Sequence, residues 1–188
     1  MGTSANEATR YFAFLKGINV GGHTVKMDRL RELIAELGYE EVATYIASGN
    51  IIFSRPARQT GELEPSIAAH LESALGYAVP TFIRSVDELV VIAAYQPFPA
   101  DELSEGGSSL YLAFLPDAPS KAEIRNIETS STETDRFRVA GRELYWHCRT
   151  RFSDSPFSGP KLERLLSRTV TVRNSTTVRR LVDRYCVD

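Results

Sequence analysis

The strongest constraint on what this chain can fold into is a repeat. Tyr111-Leu112-Ala113-Phe114-Leu115 reproduces Tyr11-Phe12-Ala13-Phe14-Leu15 at four of five positions. Each run is short, apolar and aromatic, and so reads as a strand. The segments after the two runs match as well. After the first, Met27, Leu30, Leu33, Ile34 and Leu37 fall at helical spacing, and Gly38 ends the helix. Val42 to Ile46 and Asn50 to Phe53 form a hairpin across Ala47-Ser48-Gly49. A helix over Leu63 to Leu75, a strand over Val79 to Arg84 and a helix capped by Ser85 complete the first copy.

The second copy runs in the same order. A helix is expected over Lys121 to Glu128, then a hairpin of Arg136 to Val139 and Glu143 to Cys148 around Ala140-Gly141. Leu162, Leu165 and Leu166 mark another helix. The strand Val170 to Arg173 and the helix Ser175 to Tyr185 then mirror the Arg84-Ser85 junction. Recurrence of order, turn and cap together implies internal duplication. The expected fold is α+β: two ferredoxin-like subdomains, each β-α-β-β-α-β plus a trailing helix, over residues 10–95 and 109–186. Residues 1–9 read as a disordered tail. Residues 96–108, with two prolines and two glycines, read as a linker without periodicity.

The copies differ after their first strand. The first carries Lys16-Gly17-Ile18-Asn19-Val20-Gly21-Gly22-His23, and the second only Pro116-Asp117-Ala118-Pro119-Ser120. Glycines allow backbone N–H groups to form an anion-binding concavity, to which Lys16 and Lys26 would add charge. The candidate ligand-binding residues here are Lys16, Gly17, Asn19, Gly21, Gly22 and Lys26. The loop fits neither the Walker nor the dinucleotide pattern, so the alternative is glycine needed only for backbone shape. Asn50 is a further candidate, although an Asn beside a tight turn more often bonds that turn. Arg173, Asn174 and Thr177 open the last helix, where a helix N-terminus and an arginine suit phosphate or carboxylate; the alternative is a plain cap beside a surface arginine. In Glu143 to Arg149, alternation places Leu144, Trp146 and Cys148 on one face and Tyr145, His147 and Arg149 on the other. The second trio would stack bases on an open sheet, but no RNP1 pattern accompanies it; the ordinary reading is Trp146 in the core and His147 half exposed.

Charge is uneven. Residues 136–184 carry eleven arginines and one lysine against four acidic side chains, whereas residues 1–135 hold ten basic and nineteen acidic ones. The basic rear is the ground for a nucleic-acid alternative. The two cysteines, Cys148 and Cys186, and the three scattered histidines have no metal-site or redox spacing. No cofactor, metal or membrane partner is expected, and a reducing, cytoplasmic compartment is. No nucleophile–base motif appears. His23 is the one histidine beside a candidate site, so a catalytic residue stays unassigned.

The runs YFAFLKGINVGGH, VKM, LGY and VATYIASGNIIF between Tyr11 and Phe53, QPF at Gln96 to Phe98, and KLERLLSRTVTVRNSTTVRRL at the end resemble the bacterial domain of unknown function 1697 family. Ser175 stands where that family usually has Trp, Gln96 where it has Asn, and Pro160-Lys161 where it has Ser-Lys. The resemblance implies a two-subdomain, ferredoxin-like α+β fold and no established activity, substrate or cofactor. The leading functional expectation is a small anionic or phosphate-bearing ligand, held in a cleft where the glycine loop and the Arg173 helix start converge. The alternatives are nucleic-acid binding through the basic rear and an enzyme of unknown class. Oligomeric state is not encoded in any pattern here.

Overall fold

A computed structural model describes residues 8–56, 60–104 and 106–186. It divides into two compact units, Met1–Leu89 and Val90–Asp188. The first holds β1 (Ala8–Leu15), α1 (Met27–Ala35), β2 (Glu40–Tyr45), β3 (Asn50–Pro56), α2 (Thr60–Leu75) and β4 (Thr81–Ser85). Helix α3 (Val86–Ala94) crosses the boundary. The second holds α4 (Ala100–Leu103), β5 (Ser109–Phe114), α5 (Lys121–Thr129), β6 (Asp135–Ala140), β7 (Glu143–Cys148), α6 (Gly159–Leu166), β8 (Thr171–Asn174) and α7 (Ser175–Tyr185).

Each unit is built on a four-stranded antiparallel sheet, ordered β2-β3-β1-β4 in the first and β6-β7-β5-β8 in the second. The aromatic run heads the chain order and takes a central position, which is why it is apolar at every residue. Tyr11, Ala13 and Leu15 join the core formed with Leu30, Leu33 and Ile34 of α1 and Ile67 and Leu71 of α2. Phe12 and Phe14, pointing the other way, are buried as well. The pairing repeats in register. Phe12 faces Ile52 and Arg84, as Leu112 faces Tyr145 and Arg173.

The second core sets Trp146, Phe137, Leu144 and Cys148 of the sheet against Ile127 of α5 and Leu162 and Leu166 of α6. Trp146 has no exposed surface, so its indole N–H needs an acceptor. Asp135, equally buried, provides it at 2.7 Å and also accepts from Ser155 Oγ (2.7 Å) and Thr134 Oγ1 (2.8 Å). Caps follow local sequence. Ser85 with Glu88 opens α3, and Ser120 with Glu123 opens α5, each by reciprocal side-chain-to-backbone bonds. Open sheet edges are also covered by carboxylates: Ile83 N donates to Glu64 Oε1 (2.7 Å), and Val139 N to Glu128 Oε1 (3.2 Å).

Three expectations change. Ala8 and Thr9 belong to β1, not to a tail, because Ala8 pairs with Pro56 and Thr9 with Arg55; residues 1–7 lie outside the described residues. The segment 96–108 contains α4, anchored by Glu102, which bridges Arg136 and Arg149. No periodicity announces so short a helix, since distant arginines hold it. Helix α2 begins at Thr60, three residues before the apolar stripe starts.

Candidate functional site

The glycine loop is a self-bonded turn system. Gly17 (φ +81°), Asn19 (+56°), Gly21 (+61°) and Gly22 (+90°) all adopt left-handed backbone. A Cβ built at Gly17, Gly21 or Gly22 meets nothing within 4 Å, so glycine serves conformation there, not close approach. Asn19 ties the loop together. Its Nδ2 donates to Ala47 O (3.0 Å), and its Oδ1 accepts from Val25 N (2.7 Å). Asn50 is occupied in the same way: Nδ2 donates to Tyr45 O (3.0 Å) and Ser48 Oγ (2.9 Å). Lys16 is half-buried and its N–H donates to Pro80 O (2.9 Å), while Lys26 is exposed ahead of α1. His23 stacks on Tyr77 at 3.8 Å between ring centroids. All of these residues belong to the first unit.

Arg173 differs from the expected surface arginine. It is buried, and its Nη1 donates to Thr171 Oγ1 (2.8 Å) and Val172 O (2.9 Å). Burial pushes its pKa down to about 10. Its register partner in the first unit, Arg84, folds back likewise, with Nη1 donating to Ile83 O (2.7 Å). Arg84 Nη1 also lies 3.7 Å from Glu64 Oε1 of α2.

The cation at the start of α7 is instead Arg179. A cavity of about 180 Å³ opens there, in the second unit alone, lined by Ser108, Ser109, Asn174, Ser175, Thr176 and Arg179, with Leu103 and Leu110 as its apolar part. Asn174 is the N-cap, its Oδ1 accepting from Thr176 N (2.8 Å). Ser175 is 8% exposed and lines the cavity, and its hydroxyl has no hydrogen-bond partner among the described residues. Among the described residues, Ser109, Thr176 and Arg179 also lack side-chain partners and no carboxylate lines the space. Of the predicted residues only Asn174 lines it; Thr177 is half-buried one position further on. Ser175 and Arg179 were legible in principle, lying four residues apart on one helical face. Ser108 and Ser109 were not, because only the fold brings the end of the linker to α7.

The proposed base-stacking face is closed. Tyr145 and His147 are 2% and 0% exposed, which corrects the half-exposed His147. Tyr95 packs on Tyr145 at 5.0 Å and Phe98 on His147 at 5.5 Å, and Tyr145 OH donates to Ile92 O (3.2 Å). Arg149 Nη2 donates to Glu102 Oε2 at 3.4 Å. Ring faces covered in this way have no surface for a nucleobase. No group of three His, Cys, Asp or Glu side chains able to hold a metal ion occurs among the described residues. No helix among them is long and apolar enough to cross a membrane.

Fold and cavity define a two-unit α+β protein with a polar, small-molecule-sized recess beside its last helix. The chain belongs to the family described as protein of unknown function (DUF1697), whose model matches residues 8–145. The α7 wall of the cavity lies beyond that span. A solved structure, the conserved bacterial protein SP0830 from Streptococcus pneumoniae, is similar in fold, with a TM-score of 0.71 and 22% identity over 94% of this chain and 98% of that one. No curated protein matches.

Proposed function

We propose that this protein binds a small anionic ligand in the cavity at the start of α7. The observation that carries the reading is the lining itself. Arg179 and the α7 N-terminus both contribute positive potential, hydroxyls line the space with them, and no acidic side chain among the described residues lines it. A helix start is equivalent to about half a positive charge and leaves N–H groups for an anion. The same reading takes each unit as a ferredoxin-like copy arising by duplication, which the shared strand order and register support. It places the protein in the cytoplasm, and the two free cysteines support a reducing compartment.

The test is thermal denaturation of the full chain against inorganic phosphate, sulfate and a panel of small organic phosphates and carboxylates. At least one should raise the melting temperature in proportion to log concentration, and Arg179→Ala should remove the shift. A flat response across the panel at millimolar concentrations refutes the reading.

A further inference from the structure

We infer that the outer face of α3 is a contact between two copies of this chain, with the two helices antiparallel about a twofold axis at Val91. The inference starts from the duplication and is independent of the anion-binding reading. Arg84 and Arg173 hold the same register in their sheets, and each ends its strand just before a helix. Helices α3 and α7 therefore correspond residue by residue. Leu89 and Ile92 face inward and are buried, as are their counterparts Val178 and Leu181. The outward positions differ. In α7 they are Thr176, Arg179, Arg180, Asp183 and Arg184, all exposed and polar. In α3 they are Asp87, Val90, Val91, Ala94 and Tyr95, also exposed, and only the first is charged. Val90 is 41% exposed, Val91 69% and Tyr95 43%. The copy shows that these positions accept a fully charged face, so packing within the fold does not call for apolar residues there. A helix buried on one side ordinarily turns polar residues outward, and an exposed apolar stripe marks a contact.

The pattern along α3 selects the occupant. Asp87, Val91 and Tyr95 lie four residues apart on one ridge of the helix, and Val90 and Ala94 lie on the next. A twofold contact needs a surface complementary to itself. With Val91 set on Val91 of the second copy and the helices antiparallel, each Asp87 lies against the other copy's Tyr95, because both residues stand one turn from the axis. The Asp87 carboxylate accepts from the Tyr95 hydroxyl. Arg179, which lines the same recess as Tyr95, adds the opposite charge at that end. A parallel arrangement would instead set Asp87 on Asp87. Valine and alanine at the centre let the two backbones approach closely. A single nine-residue helix buries a small area, so the dimer is a weak one.

Sedimentation velocity of the full chain between about 2 and 500 µM tests this. The wild type should show a concentration-dependent equilibrium between monomer and dimer. Val91→Glu sets two carboxylates face to face at the axis and should weaken the dimer at least about tenfold, with an unchanged far-UV circular dichroism spectrum because Val91 is exposed. Val20→Glu, at a comparably exposed valine of the first unit, should leave the dimer intact. Two cysteine variants, each in a Cys186→Ser background, read the register. Val91→Cys should cross-link to itself under mild oxidation. Asp87→Cys should not, because antiparallel pairing about Val91 separates the two copies of residue 87 by about 12 Å along the helix, beyond the reach of a disulfide. A monomer at every concentration overturns the inference. So does a dimer that Val91→Glu leaves intact, and so does equal cross-linking of the two cysteine variants.

Discussion

Gly49→Ala isolates what holds the glycine loop against the sheet. Gly49 lies in the β2–β3 turn with φ +73°, and its carbonyl accepts from Leu15 N at 2.8 Å. A Cβ there would sit 3.0 Å from Leu15 Cβ and 3.2 Å from Ile18 Cβ. Neither neighbour can yield by rotating, because a Cβ is fixed to its backbone, and both residues are buried. Three terms act. Left-handed backbone costs a residue with a Cβ about 1–2 kcal/mol. Overpacking adds about 1–3 kcal/mol. Loss of glycine's freedom in the unfolded chain returns about 0.4–1 kcal/mol. Gly21→Ala is the control, since Gly21 has φ +61° but open space around it. The first and third terms nearly cancel between the two variants, so Gly49→Ala should be the less stable by the overpacking term, about 1–3 kcal/mol. Urea denaturation followed by far-UV circular dichroism measures both. Equal midpoints and slopes would show that the turn relaxes freely and that the loop is not wedged against β1.

Two further outcomes rest on named bonds. Asp135→Ala strands the buried Trp146 N–H and two hydroxyls and should cost about 2–4 kcal/mol, with Asp135→Asn milder because its amide oxygen still accepts; Trp146, the one tryptophan, reports the transition by fluorescence. Glu123 is held down to about 2 by Arg168 and by the Ser120 backbone and hydroxyl, so its folded pKa lies below the ordinary 4.5. Its contribution is present above pH 4.5 and lost as pH falls toward 2; the stability gap between the wild type and Glu123→Gln should therefore close over that window, and a pH-independent gap would contradict the assignment.

The repeat made most of the architecture legible. Strands such as Tyr11–Leu15 and Glu143–Cys148 announce themselves because burial demands apolar residues at fixed period, and the cap Ser85 acts within four residues. The site was less legible. Asn19 and Asn50 look like ligand groups in sequence, and the fold engages both in turns. Arg173 looks like an anion partner, but its β-strand register turns it inward.

What the sequence alone determined is therefore local and periodic: the recurring element order and the Trp-bearing face. These depend on neighbours a few residues apart, whose geometry any helix or strand repeats. The tertiary structure decided which polar groups remain available. Burial took Arg173 off the surface, the packing of Tyr95 and Phe98 closed the face of Tyr145 and His147, and the approach of Ser108 and Ser109 to Ser175 and Arg179 built a cavity from residues far apart in the chain. A hydrogen bond or a void depends on where distant chain segments meet, and no local periodicity encodes that.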